Sequence, residues 1–177
     1  MDLTALAKQL EHHKGAPVDQ WDPPFCGDLD LVIRASGRWD YQNSPIGRKA
    51  MVKLFASVIK QENGRYYLVT PVEKVGIQVE DLPFMVVAWE QIDHDGEPVI
   101  RVTTNVDETY LLSSKHPLIV DAGLPAVVVR DGLKARVHRN VYYQWADIAT
   151  AAQAGESEGY YIDSAGERFL LAAENLG

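Results

Sequence analysis

Leu3, Leu6, Ala7 and Leu10 recur at helical spacing, and Gly15 with Pro17 closes the pattern, which predicts a short amphipathic helix at the N-terminus. Residues 17–24 are rich in Pro and Asp and read as a loop, with Trp21 and Phe25 expected to pin it onto a core. Period-two alternation then predicts strands over 29–34 and 38–42, turning at Ser36-Gly37. Ser44-Pro45 reads as the N-cap and first position of a second helix, whose apolar face carries Ile46, Ala50, Met51, Leu54, Phe55, Val58 and Ile59. Asn63-Gly64 is either a hairpin turn or the left-handed cap of that helix.

Further strands are predicted over 66–70, 75–79 and 82–93, the last turned back into 99–104 by Asp95-Gly96. Two short strands follow at 109–112 and 118–120, then a hairpin of 126–130 with 133–138 around Asp131-Gly132. A helix over 141–154 and a last hairpin, 160–162 with 168–171, complete the pattern. So many hairpins predict a β-rich α+β protein and argue against a parallel α/β sheet.

The two halves look alike. Arg34-Ala35-Ser36-Gly37 and Arg130-Asp131-Gly132 are similar turns whose glycines lie 95 residues apart. Ile46 and Val141, each at the start of the following helix, are also 95 apart, and Tyr66-Tyr67 and Tyr160-Tyr161 are 94 apart. The order predicts an internal duplication of a hairpin–helix–strands unit. The expected division is an N-terminal helix and linker over 1–20, a first repeat domain over 21–83 and a second over 84–177, with a ligand in the groove between the repeats.

Composition narrows the function. Among 177 residues, 25 Asp+Glu outweigh 17 Lys+Arg for a formal charge of -8, which argues against a non-specific nucleic-acid binder. Cys26 is the one cysteine, so intramolecular disulfides and cysteine-rich zinc sites are excluded, and between Phe25 and Gly27 it reads as a small buried residue. No signal-peptide pattern opens the chain and no apolar run is long enough to span a bilayer, so a cytoplasmic protein is expected. Phosphate-loop, dinucleotide-turn, nucleophile-elbow and zinc-helix motifs are all missing, which weighs against a common enzyme.

Three segments carry candidate binding chemistry. Ser44-Pro45-Ile46-Gly47-Arg48-Lys49 places a glycine and two cations at a predicted helix start, a suitable seat for phosphate or carboxylate. Arg48 would grip two oxygens and Lys49 would add a point charge. Lys134, Arg136 and His138, with Arg130 nearby, form a basic patch on one strand face, or else the solvated face of a hairpin. The turns holding Asn105 with Asp107, and Glu73 with Lys74, are either turn chemistry and surface charge or ligand contacts. Asp28 with Asp30 and Asp93-His94-Asp95 read as strand entry and turn rather than acid–base or metal sites, and His12-His13 point to different helix faces. His116 has no visible partner, whereas Trp39 and Trp145 read as core. Tyr41, Tyr142 and Tyr143 are alternatives for stacking on a base.

Trp21-Asp22-Pro23-Pro24-Phe25-Cys26-Gly27-Asp28, Ser44-Pro45-Ile46-Gly47-Arg48, Tyr66 through Val75, Thr104-Asn105-Val106-Asp107 and His116-Pro117-Leu118 resemble, in order, a proteobacterial family defined as a domain of unknown function (DUF1285). The resemblance implies a duplicated two-domain protein whose C-terminal half is superficially similar to pleckstrin-homology folds. It also implies a nucleotide-type ligand at the domain junction and a role in signal transduction. The family has no established catalytic residue to transfer. Positions that match its motifs and suit an anionic ligand are Arg48, Glu73, Lys74, Asn105 and Asp107, with Lys49 adjacent. The expectation is a cytoplasmic sensor that binds an anionic small molecule, with no cofactor specified and a signalling protein as a further partner. A protein-interaction adaptor and an enzyme of unrecognised type, using Asp28, Asp30 or His116, are the alternatives.

Overall fold

The computed structural model describes residues 2–11 and 18–173, so His12, His13, Gly15 and Pro17 lie outside the described residues. The chain divides into two compact units, 1–83 and 84–177. In the first unit, helix α1 (Leu3–Leu10) is capped by Asp2, whose side chain accepts the Ala5 N–H at 2.8 Å. Its Leu3, Leu6 and Leu10 are buried at the helical spacing read from the sequence. A short 3-10 turn (Val18–Gln20) leads to β1 (Phe25–Ile33), β2 (Trp39–Tyr41), β3 (Ser44–Pro45), α2 (Lys49–Ala56), β4 (Ile59–Glu62), β5 (Arg65–Val69) and β6 (Lys74–Val79). The sheet order is β3-β2-β1-β6-β5-β4, antiparallel except that β1 and β6 run parallel. Phe55 of α2, Leu31, Ile33, Leu68 and Val75 are buried to 1% exposure or less.

The second unit carries β7 (Phe84–His94), β8 (Glu97–Thr104), β9 (Thr109–Leu111), β10 (Leu118–Asp121), β11 (Leu124–Arg130), β12 (Leu133–Val137), α3 (Arg139–Ile148), β13 (Thr150–Ala151), β14 (Tyr160–Ser164) and β15 (Glu167–Ala172). Its six-stranded sheet has the order β10-β11-β12-β7-β8-β9, with β7 and β12 parallel, and β13-β14-β15 form a separate sheet. The protein is therefore a β-rich α+β chain of two units, each combining a hairpin, a helix and further strands. In the second unit the helix follows the main sheet.

The duplication is present, but its register differs from the one read in the sequence. Taken in chain order, β1 to β6 occupy the same sheet positions as β7 to β12. Each unit is a three-stranded meander, a crossover and a second meander whose last strand returns parallel to the first. The corresponding turn glycines, Gly37 with Gly96 and Gly64 with Gly123, lie 59 residues apart, not 95. The longer offset aligned the β1–β2 hairpin with β11–β12, which holds a different sheet position. That happened because the helices differ in place: α2 crosses between the meanders, whereas α3 follows the second one.

Several local readings also change. Ser44-Pro45 is strand β3, paired with Tyr41 and Asp40, because Gln42 and Asn43 take φ of 51° and 64° and close a tight hairpin. Helix α2 accordingly starts at Lys49 with Arg48 as an N-cap lacking a side-chain bond, and it ends before Ile59, the first residue of β4. Asn63-Gly64 is a hairpin turn, both residues having positive φ. Helix α3 stops at Ile148, where Ala149 is extended and leads into β13. Phe25 is 50% exposed and Cys26 is exposed, because the β1–β6 register slips between Phe25 and Asp28 instead of turning this end inward.

Trp39 is 3% exposed and Trp145 fully buried, in agreement with their reading as core. Trp39→Ala is expected to destabilise the protein by about 3–5 kcal/mol in a urea titration, the usual cost of truncating a buried aromatic. Beside Trp39, buried Asp40 accepts hydrogen bonds from Arg38 Nε at 2.9 Å and Arg34 Nε at 2.8 Å, which hold its carboxyl below the usual range. Lys74 acts likewise on Glu62, the Ala35 N–H on Glu80, and Arg168 on Glu156. A carboxyl with a lowered folded-state pKa stabilises the fold above its unfolded value and loses that contribution as pH falls through the folded one. Stability is therefore expected to be flat from neutral pH to about 5 and to decline below about 4. Asp40→Asn should shallow that decline in midpoints measured from pH 7 to 2.5.

Candidate functional site

The basic patch of the second unit is dismantled by its own neighbours. Arg136 is not on a solvated strand face but 8% exposed. Its guanidinium donates to the carbonyls of Asp121 and Leu124 at 3.0 Å each, and ion-pairs with the Asp121 carboxylate at 3.2 Å. It thereby ties the β10–β11 turn, where Ala122 and Gly123 both have positive φ, to β12. Lys134 reaches the same carboxylate at 3.6 Å. Arg130 lies over the Phe84 ring at 5.2 Å and pairs with Glu108 at 3.4 Å. His138 caps α3, its Nδ1 accepting the Asn140 N–H at 3.1 Å. These cations hold the sheet and helix together and form no shared anion seat.

The polar turns are likewise built into the fold. Asn105 exchanges two hydrogen bonds with the Met85 backbone, its N–H donating at 2.9 Å and its Oδ1 accepting at 3.0 Å, which extends the pairing of β8 with β7. Asp107 holds φ of 63° in the turn before β9, a left-handed conformation that Asn and Asp tolerate best. Both turns start from a buried threonine. Thr104 Oγ1 accepts from Val106 and Glu108, and Thr70 Oγ1 accepts from Val72 and Glu73 while donating to Gln9 Oε1 at 2.6 Å. Glu73 and Lys74 do not pair with each other: Glu73 accepts from Gln9 Nε2 at 3.0 Å, and Lys74 pairs with Glu62 at 3.0 Å above the Tyr67 ring.

Arg48 differs from these. Arg48 and Lys49 are both exposed at the start of α2, Arg48 in extended conformation, and the first turn of the helix carries no acidic residue. Arg48 makes no ion pair among the described residues. They share the first unit with Glu73 and Lys74 but stand on a different element, whereas Asn105 and Asp107 belong to the second unit.

Catalytic groupings are sparse. Asp28 pairs with Arg65 at 3.0 Å, and Asp93-His94-Asp95 are the end of β7 and its turn. No group of His, Cys, Asp or Glu among the described residues is arranged to hold a metal ion. Tyr110 is raised to about 12, chiefly by burial and then by Glu108, to whose carboxylate it donates at 3.0 Å. Its ring also meets His116 edge-on, the partner that the sequence did not reveal, and a phenol so high is a poor general base. No helix of the described residues is long and apolar enough to cross a membrane.

The sequence reading missed one concavity in the second unit. Gln91, Glu97 and Pro98 of the β7–β8 hairpin, Ile148 at the end of α3, and Asp163, Ser164 and Gly166 of the β14–β15 hairpin line a groove of about 400 Å³. It was invisible because its walls come from three segments spread over residues 91–166.

Comparison with known proteins bears on ancestry, not chemistry. No curated protein matches this chain. A crystal structure described as a DUF1285 family protein from Silicibacter pomeroyi DSS-3 is 38% identical, covers 97% of this chain and 94% of its own, and superposes with a TM-score of 0.84. A second, from Shewanella baltica OS155, is 26% identical over 67% of this chain and 91% of its own, with a TM-score of 0.56. The family models for the N-terminal and C-terminal domains of DUF1285, a domain of unknown function, match residues 16–82 and 83–171, on either side of the division between the two units. With both halves and the whole fold accounted for, the chain belongs to the DUF1285 family.

Proposed function

We propose that this protein is a non-catalytic binding module for an anionic, nucleotide-type small molecule, with a sensing role in signal transduction. Its phosphate contacts would come from Arg48 and Lys49. The observation that carries the reading is the start of α2. There, backbone N–H groups, a glycine at 47 and two exposed cations coincide, with no side-chain cap and no acid in the first turn. Cations at this end oppose the helix dipole by a few tenths of a kcal/mol, so their placement is an expense that a bound anion would reverse. Lys74, Arg130, Lys134 and Arg136 are engaged by carboxylates, whereas Arg48 makes no ion pair among the described residues.

The test is a thermal-shift series on the full chain and on Arg48→Ala, with nucleotides, dinucleotides, sugar phosphates and inorganic phosphate. A ligand at a hundred times its dissociation constant stabilises by about 2.7 kcal/mol, which moves the midpoint by several degrees at this size. The expected result is a shift with one phosphate-bearing class that Arg48→Ala loses while its own unliganded midpoint stays within a degree or so of the parent. A shift that Arg48→Ala retains would remove the helix start from the site. No shift with any compound would overturn the reading and favour a protein-interaction adaptor.

A further inference from the structure

We propose that the open edge of β7 is a self-association surface, through which two copies of the chain pair their sheets antiparallel about a two-fold axis at Ile92. Comparison of the two repeats shows why that edge is open. In the first unit β6 accompanies β1 to its last residue, with Ile33 opposite Val79 and the Glu80 N–H donating to the Ile33 carbonyl at 2.9 Å. In the second unit β12 accompanies β7 only over Phe84–Val86. The His138 N–H closes that run on the Val86 carbonyl at 3.0 Å, and α3 begins at Arg139. Residues 87–94 continue with β8 on one side and no strand among the described residues on the other.

The far side of the β7–β8 hairpin is closed. The Pro98 carbonyl accepts the Ala165 N–H at 3.0 Å, while Ile100 donates to Ser164 Oγ at 2.9 Å and accepts the Leu112 N–H at 2.8 Å. Those bonds fix the phase of the ladder. Pro98 and Ile100 turn their backbone groups away from β7, so Asp93 and Gln91 opposite them turn theirs away from β8, and Trp89 follows at the next alternate position. The N–H and C=O groups of Trp89, Gln91 and Asp93 thus face the open edge and bond no backbone there among the described residues. Another strand is the structure that meets such a row at its own spacing. Residues 87–94 carry neither Lys nor Pro to blunt the edge, and the bulge between Val86 and Ala88 lies at its start.

The strand is complementary to itself. About an axis at Ile92, Gln91 and Asp93 face Asp93 and Gln91 of the second copy and exchange backbone hydrogen bonds with them. On one face half-buried Ile92 meets its own copy, flanked by Glu90 against His94 of the second copy. On the other face the Gln91 amide lies beside the Asp93 carboxylate of the second copy. No like charges stand opposite one another, whereas an axis at Glu90 would set two carboxylates face to face. Glu90 keeps its ion pair with Arg101 of β8 throughout. The contact is isologous and consumes the same edge on both copies, so it closes at two.

The experiment is sedimentation velocity of the full chain from micromolar to millimolar concentration, at physiological salt so that repulsion between two chains of charge -8 is screened. Gln91→Pro and Ile92→Lys are run alongside, with circular dichroism as the check on each fold. A concentration-dependent species of twice the chain mass is expected. Gln91→Pro removes an N–H that faces outward, a place where an edge strand tolerates proline, and should weaken the dimer about tenfold or more. Ile92→Lys sets two ammonium groups on the axis and should also weaken it. In a Cys26→Ser background, Ile92→Cys should cross-link the two copies under mild oxidation, since non-hydrogen-bonded partners approach within disulfide range. A monomer at every concentration would overturn the proposal. So would a dimer unchanged in both edge variants, or one whose Ile92→Cys form does not cross-link.

Discussion

Each six-stranded sheet depends on one parallel pair at its centre, β1 with β6 and β7 with β12. Every other pairing in those sheets is antiparallel and links strands adjacent in sequence. Parallel neighbours cannot be joined by a hairpin, so the chain must leave one edge of the sheet and re-enter at the other. In a flat sheet that crossing covers five strand spacings, roughly 24 Å. The first unit makes it with α2 and short flanking segments. The second has only residues 112–117, and Ser113 and His116 spend part of that reach by bonding each other's backbone. The edges must therefore curl together. The Tyr110–His116 ring contact and the Arg130–Glu108 pair are where they meet. Tyr110 and His116 look functional in isolation, but they are clamps on a curled sheet.

How much of this was legible in the sequence follows from where the determining contacts lie. Turns with Asn-Gly or Asp-Gly announce themselves, since those pairs tolerate positive φ at both positions. Gln42-Asn43 and Ala122-Gly123 adopt the same geometry with weaker or absent signals, and the hairpins they close were misread or lost, whereas the hairpin around Ala165-Gly166 was legible from its flanking strands. Ser44-Pro45 carries the residues of a helix start but sits on the return strand of such a hairpin. Core identity was clear for Trp39 and Trp145, whose size leaves few other options. Phe25 and Cys26 were placed inside because composition cannot register a slip in strand pairing. The repeat was recognised, yet its offset was taken from similar turns, helix starts and Tyr-Tyr pairs that hold different positions in the two units.

The candidate site suffered from the same blindness to cross-strand partners. Arg136 and Lys134 look like a basic island along β12, but Asp121 lies two strands away in the sheet and cancels them. Lys74 finds Glu62 across β5 in the same manner. With 25 acids against 17 Lys and Arg, such pairing consumes cations first and leaves carboxylates over. An unpaired cation is thus the rarer and more informative residue in this protein, which is why Arg48 outweighs the larger basic cluster. Surplus carboxylates say less by themselves.

The repeat also explains where a distinct site can arise. The two six-stranded sheets share a strand order and a central parallel pair. Such shared features serve a common scaffold. The second unit adds α3 and the β13–β15 sheet after that scaffold is complete, and the described residues of the first unit have no counterpart to them. Both added elements contribute to the groove, one through Ile148 and the other through Asp163, Ser164 and Gly166, while the repeated β7–β8 hairpin supplies the remaining wall. The equivalent hairpin of the first unit, β1–β2, instead uses its turn to hold Arg34, Arg38, Asp40 and Glu80 in a closed charge network. The same position in the repeat is thus spent on stability in one unit and left open beside an appended wall in the other, which is how a duplicated fold gains a surface that its symmetry alone would not provide.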